Sequence, residues 1–203
     1  PKQVAIAEEQ LIGTIAKACG IATAARTAVH LADGKVNIVS GSWKKMPPES
    51  KHMVRDAIAA GGAAFRICES PMIYLDKNYI RMLGGIPAAL AACREFPDAV
   101  KVVQIKGITA DVEEETLQAL NGGAGVFMVD TGRIEDLRSC RRVLETSGRR
   151  GEVQLAYAGD VKLTDIPQLT KERLDILCIG KQIVDAQLLD MKLDVIQEGT
   201  LWD

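Results

Sequence analysis

The amino-acid sequence predicts the α/β class, as an open or near-closed parallel α/β barrel of about seven strands. Three observations lead there. Short apolar, β-branched runs alternate with segments of helical spacing, the pattern of parallel strands joined by helical crossovers. Six or seven such runs suit a barrel or an open doubly wound sheet. No G-x-G-x-x-G follows the first run, which disfavours the dinucleotide-binding form of the open sheet. A length of 203 residues favours one domain or one and a half, read as a single domain 1–203, large enough to bury a core without disulfide or metal staples.

The elements follow in order. "VAIAEEQLIGTIAKACGIATAARTAVHLA" is alanine-rich and helical in pattern, one long helix with Gly20 as the place for a break. "KVNIVSG" is the first strand. In "PESKHMVRDAIAAGG", Met53, Val54, Ala57 and Ile58 share one helical face and Gly61 is a natural stop. "AAFRI" and "MIYLD" read as strands separated only by Cys68 to Pro71. That is too short for a helical crossover, so a tight strand pair or a kinked connection is expected.

"VKVVQIKG" is the next strand. In "TADVEEETLQALNGG", Thr109 or Asp111 is the N-cap, acids fill the first turn and Asn-Gly-Gly ends the helix. The run Glu113 to Glu115 reads as a solvated helix start. "GVFMVD" is a strand. "RIEDLRSCRRVLETSG" is a helix with Ile134, Leu137 and Val143 or Leu144 inward and Gly148 after it. "VQLAYAG" and "DILCIG" are strands around a shorter helix in "KLTDIPQLTKERL", where Pro167 suits a first turn. "KQIVDAQLLDMKLDVI" begins as a helix and then alternates through Met191, Leu193 and Val195 as a last strand.

Composition narrows the function. Hydrophobic residues are 47% and charged residues 26%, ordinary for a soluble globular protein. A formal net charge of −2 supports neither a general nucleic-acid nor a membrane role. Cys19, Cys68, Cys93, Cys140 and Cys178 are spread singly, against zinc and disulfide frameworks, and read as small buried hydrophobes in a reducing cytoplasm. No run approaches the ~20 apolar residues of a membrane span, and no secretory signal is visible. His52 reads as a solvated helix residue and His30 as structural. Neither has a Ser or Cys partner at a recognisable spacing, so nucleophilic hydrolysis is not supported.

In parallel α/β folds ligands sit at the carboxyl ends of the strands, so the residues following each run are the candidates. Ser42, Lys44 and Lys45 follow the first run, Arg66 the second, and Asp76 and Lys77 the third. Gln104 and Lys106 end the fourth, Asp130 the fifth, Gly159 and Asp160 the sixth, Gly180 and Lys181 the seventh. Glycines let backbone N–H groups approach an anion, and lysines and arginine add charge. Together they point to a phosphorylated small molecule. Asp130 suits ribose hydroxyls or a Mg²⁺ accompanying a diphosphate.

The order of these motifs resembles the barrel domain of the nicotinate-nucleotide pyrophosphorylase (quinolinate phosphoribosyltransferase) family and its ModD-like relatives. "GIATAARTAV" looks like the family's G-I-A-T helix. "WKKMPPESKHMVRDAIAAGG" looks like its T-R-K-T-x-P-G segment, helix and glycine cluster. "FRICESPMIYLDKNYI" is similar to H-R-x-G-L-x-D-x-x-L-I-K-D-N-H-I. "VFMVD" resembles the strand ending in a ribose-binding Asp. "LAYAGDV" stands for E-S-S-G-G-I, "LCIGK" for V-G-A and "LLDMKLDV" for L-D-I-S-L-D.

The resemblance implies an open, roughly seven-stranded barrel and a dimer or higher homo-oligomer; the N-terminal sandwich domain that normally precedes the barrel is expected to be absent from this chain. It implies a pentosyltransferase joining an acceptor to the ribose of phosphoribosyl pyrophosphate with Mg²⁺, in pyridine nucleotide biosynthesis. In the family the acceptor is quinolinate, with release of pyrophosphate and CO₂. Lys44 and Lys45 take the place of the Arg-Lys pair, with Lys45 and Arg66 the catalytic candidates. Lys44, Phe65, Gln104, Asp130, Gly159, Asp160, Gly180 and Lys181 are the substrate- and phosphate-binding candidates.

The departures also inform. Phe65 replaces a histidine, Asp76 a lysine, Gln104 a glutamate and Glu9 an arginine. The changes at Phe65, Asp76 and Glu9 remove positive charge and add negative, so a dicarboxylate such as quinolinate should bind badly and a less anionic aromatic acceptor better. The alternative is a phosphate-ligand-binding or assembly protein that kept the barrel without the chemistry.

Overall fold

A computed structural model describes residues 2–194. Six parallel strands form one sheet: β1 (Asn37–Val39), β2 (Met72–Leu75), β3 (Val100–Ile105), β4 (Val126–Asp130), β5 (Gln154–Ala158) and β6 (Ile176–Cys178), in the order β1-β6-β5-β4-β3-β2. Registers such as Met128↔Ala156 and Val102↔Val126 keep inward residues level across neighbouring strands.

The period-2 pattern sorts side chains to two sides. Phe127 and Val129, Leu155 and Tyr157, and Leu177 and Ile179 face outward and pack with the helices. Val102, Val126, Met128, Ala156 and Ile176 face inward in a second cluster that contains no helical residue, yet they are at most 4% exposed. A sheet face buried without a covering helix must be curled on itself, so the sheet is an open barrel.

The expected seventh strand, "AAFRI", reduces to a bridge between Val39 and Ala64. Ala64 N donates to Ile38 O at 2.9 Å, and the Ala64 carbonyl accepts from Ser40 N at 2.8 Å. "MIYLD" instead pairs with β3 at the other edge of the sheet. The short link 68–71 is therefore a kinked connection across the open seam, and not a strand pair.

Helices cover the outside. The chain is helical from Lys2 to Ala32: α1 (Lys2–Ile6), a π-helical turn (Ala7–Leu11) and α2 (Ile12–Ala32). Gly20 does not break it. A Cβ there would collide with the Gln187 carbonyl, so this glycine admits the chain that returns along α2. In α3 (Lys51–Ala60), Val54, Ala57 and Ile58 are buried as expected. Residues 77–99, to which spacing assigns no helix, hold α4 (Lys77–Met82) and α5 (Ile86–Ala92). The remaining helices are α6 (Val112–Asn121), α7 (Ile134–Thr146), α8 (Ile166–Leu169) and α9 (Lys181–Val184). Met191 and Leu193 lie in no strand, and Val195 is outside the described residues. Among the described residues no helix is long and apolar enough to cross a membrane.

One expectation is corrected in the first turn of α6. Asp111 caps the helix through Glu114 N at 2.8 Å. Glu115 is not solvated: it is 2% exposed and accepts from the N–H groups of Lys106, Gly107, Ile108 and Thr109 at 2.6–2.9 Å. Burial opposes its ionisation, but these donors outweigh burial and hold the carboxyl below the usual range. Glu115 thus shapes the loop after β3.

Glu115→Gln turns an NH₂ toward those donors and should cost about 2 kcal/mol at neutral pH, measured by urea unfolding. The folded carboxyl ionises below its unfolded value of about 4.3. The stabilisation is therefore complete above that value and is lost as pH falls through the lower folded one. The parent should lose stability toward acid more steeply than the variant. Parallel curves would show that Glu115 is not the group responsible.

Candidate functional site

The carboxyl ends of the strands open into a cavity of about 750 Å³. Its floor is the upper inner layer of the barrel: Met72 and Tyr74 from β2, Met128 from β4, Ala158 from β5 and Cys178 from β6. Its wall is made by the loops that follow. Lys44, Lys45, Phe65, Arg66, Asp130, Gly159, Asp160, Gly180 and Lys181, all proposed from sequence, line it.

Local structure sets each one. Ser42–Lys45 form a 3₁₀ turn whose run-out is stopped by Pro47 and Pro48. The turn places Lys44 Nζ 5.4 Å from the centre of the Tyr74 ring. The two bonds at Ala64 carry Phe65 and Arg66 to the same rim. Gly159 has φ +118°, and a Cβ on it would collide with the Gly132 backbone, so the loops after β4 and β5 touch only because both residues are glycine. A Cβ on Gly180 would meet Ser42 Oγ, joining the ends of β6 and β1 in the same manner.

Gln104 is not in the cavity wall. It lies beneath, 7% exposed, accepting from Lys77 N at 2.7 Å and donating through Nε2 to Asp130 Oδ2 at 2.6 Å. Lys106, carried in the strand-end reading but not among the site residues, donates to the Asp130 carbonyl, and its Nζ is 3.6 Å from Oδ2. Asp130 is therefore aimed by Gln104 on β3 and by Lys106 just after it, and its Oδ1 has no hydrogen-bond partner among the described residues. Asp76 and Lys77 also stay outside the wall. Asp76 caps α4 through Asn78 N and Tyr79 N at 2.8 and 3.1 Å. Glu9 is exposed on the π-helical turn, away from the cavity.

Charge is unbalanced at this mouth. Lys44, Lys45, Arg55, Arg66 and Lys181 line it against two carboxylates, Asp130 and Asp160. Lys44, Lys45, Arg66 and Lys181 form no ion pair within the described residues, whereas nine pairs are made elsewhere and at Asp130. The floor is the opposite. Burial, then the nearby Cys178, Asp130 and Asp76, push the Tyr74 phenol well above its ordinary range. Burial, reinforced by Asp130, pushes the Cys178 thiol up to about 12, so it stays a neutral part of the floor. Cys178 is thus a cavity residue, as are Trp43 and Arg55, and none of the three was a candidate from sequence. The motif order held a signal for Trp43. Counted from Pro47, T-R-K-T-x-P-G sets its arginine opposite Trp43 and its lysine opposite Lys44, one residue before the Lys44–Lys45 assignment.

The arrangement can hold a multiply charged anion at the rim above an apolar, aromatic-lined floor. No group of three or more His, Cys, Asp or Glu side chains converges among the described residues. Asp130 is one carboxylate, which suits a Mg²⁺ only when ligand oxygens and water complete the shell.

The family model for the quinolinate phosphoribosyl transferase C-terminal domain matches residues 21–194. The nicotinate-nucleotide pyrophosphorylase (carboxylating) of Homo sapiens is 26% identical over 191 residues, covering 93% of this chain and 62% of that protein. That of Rattus norvegicus is 27% identical over 202 residues, covering 97% and 64%. The chain thus spans a little under two thirds of these curated relatives. Among solved structures, the nicotinate-nucleotide pyrophosphorylase of Francisella tularensis superposes with a TM-score of 0.76 at 23% identity, over 93% of this chain and 64% of that one. The Pyrococcus furiosus protein gives 0.74 at 21%, over 89% and 50%. At these identities the superpositions speak to fold.

Gly159→Ala should lower the unfolding free energy by on the order of 1–3 kcal/mol, read by thermal or urea unfolding. Gly148→Ala is the control, also at positive φ but with nothing within 4 Å of its Cβ. Equal losses would mean that the Gly132–Gly159 contact is not what requires glycine.

Proposed function

The chain belongs to the quinolinate phosphoribosyl transferase C-terminal domain family, and from that premise we propose that it is a phosphoribosyltransferase-type protein that binds phosphoribosyl pyrophosphate in this cavity. The supporting observation is the set of four cations, Lys44, Lys45, Arg66 and Lys181, that make no ion pair among the described residues, around one aimed carboxylate, Asp130. The cations would take the phosphate and diphosphate charge. They would also stabilise the charge that develops on departing pyrophosphate as the ribosyl C1–O bond breaks and a bond to the acceptor nitrogen forms. Asp130 Oδ1 would take a ribose hydroxyl. Mg²⁺ enters this reading with the diphosphate, and Asp130 is the residue able to reach it.

The acceptor is read as less anionic than quinolinate. Trp43 and Phe65 put aromatic faces where the family motifs quoted above carry arginine and histidine, and the floor beneath is apolar. A homo-oligomer and a cytoplasmic location belong to the same reading. The exposed Val4, Ile6, Leu11 and Ile15 on the first helical turns support the former.

Titration with phosphoribosyl pyrophosphate and Mg²⁺ should raise the melting temperature, since ligand at 100 times its Kd adds roughly 2.7 kcal/mol. Quinolinate alone should not. Lys45→Ala and Arg66→Ala should each weaken phosphoribosyl pyrophosphate binding by about tenfold or more while leaving the unliganded melting temperature in place. Parent-like binding by both variants would remove the site assignment. Binding without pyrophosphate release from any ring acceptor would favour a non-catalytic phosphate-ligand protein.

A further inference from the structure

Arg55 reaches the cavity wall from α3, not from a strand end like the other cations. Its guanidinium carbon lies 4.9 Å from the centre of the Trp43 ring and 5.8 Å from that of Phe65. The two rings meet edge to face, 6.3 Å apart at 82°, and Trp43 Nε1 donates to the Phe65 carbonyl at 2.7 Å. The platform beneath the guanidinium is therefore locked to the backbone of the rim. Away from the rings, Arg55 Nη2 donates to His52 Nδ1 at 2.9 Å. Its Nε and Nη1 have no hydrogen-bond partner among the described residues. A planar cation stacked on aromatic rings, with donors left over and facing a cavity, is suited to a planar anionic group.

We propose that Arg55 determines acceptor specificity, and that the acceptor is a planar aromatic ring bearing one carboxylate, gripped by the free donors of Arg55. This rests on the cavity being the phosphoribosyl site. In that reading Lys44, Lys45, Arg66 and Lys181 are occupied by phosphate groups, and Arg55 is the cation of the wall that remains. One carboxylate satisfies it. A second would face Trp43, Phe65 or the Met72–Met128 floor with no cation, and an unpaired carboxylate in such surroundings is costly. A neutral ring would leave the donors of Arg55 unmatched. Phe65 and Trp43 are thus not mere losses of the motif's charge. They seat a different cation, which enters from another element at another angle.

The test is calorimetric titration of the parent, Arg55→Ala and Arg55→Lys with three rings: pyridine-3-carboxylate, pyridine-2,3-dicarboxylate and pyridine-3-carboxamide. Each is run with and without phosphoribosyl pyrophosphate. The monocarboxylate should bind tightest to the parent. Arg55→Ala should weaken it by about 10- to 100-fold, bringing it to the level of the carboxamide. Arg55→Lys should recover only part, since an ammonium keeps the charge without the planar fork. Tighter binding of the dicarboxylate or carboxamide, no binding of any ring, or equal affinity of parent and Arg55→Ala for the monocarboxylate overturns the inference. Titration of the parent with phosphoribosyl pyrophosphate alone tests the underlying reading separately. Failure there, with the Arg55-dependent preference intact, would overturn the phosphoribosyl reading and with it the acceptor role, leaving Arg55 as the residue that grips a ring carboxylate.

Discussion

The inner faces of the strands carry Val39, Val102, Val126, Met128, Ala156 and Ile176, and among the described residues no helix lies against them. An apolar sheet face of that size costs on the order of 25 cal/mol for every Å² left in water, so it must find a cover. Here the cover is the sheet itself. Curling brings six strand ends around one axis, and the mouth at their carboxyl side becomes the cavity. The helices, all on the outer face, follow from the same division of the strand residues into two sides.

That geometry concentrates charge. A flat sheet would spread the loops after β1, β4, β5 and β6 along an edge. The curled sheet gathers Lys44, Lys45, Asp130, Asp160 and Lys181 around one opening, and the bridge at Ala64 adds Phe65 and Arg66. Among the described residues the cations have no acidic partners, while the acid at the centre is held by Gln104 and Lys106. Mutual repulsion among exposed cations is tolerable in water, and an anion relieves it on binding. The apolar floor below, with a neutral Cys178 and Tyr74, contributes shape and dryness rather than charge.

Much of this was legible in the sequence. The six strands, the caps at Asp111 and Gly61, and the inward residues of α3 and α7 follow from period and turn chemistry, which are local properties. Nine of the ten candidate site residues lie in the cavity wall, because strand ends in parallel sheets converge whatever the loops contain. The misses share a cause. Gln104 sits on the right face but under Asp130, a matter of depth that alternation does not encode. Glu115, third in an acidic run, turns inward because four N–H groups of the preceding loop need an acceptor. Gly20 answers to a chain 167 residues away, and Arg55 to two rings on other elements.

By itself the sequence determined the class of fold, the order of its elements and the chemical character of the strand ends. Each of these depends on residues within a few positions of one another. The tertiary structure alone decided that the seventh strand is a single bridge at an open seam, which carboxylates are buried and which exposed, and which cation faces the aromatic pair. Those outcomes turn on which groups from distant segments come within a few ångströms. Hydrogen bonds, ion pairs and steric exclusion act only at that range, so the chain must be folded before they have a sign.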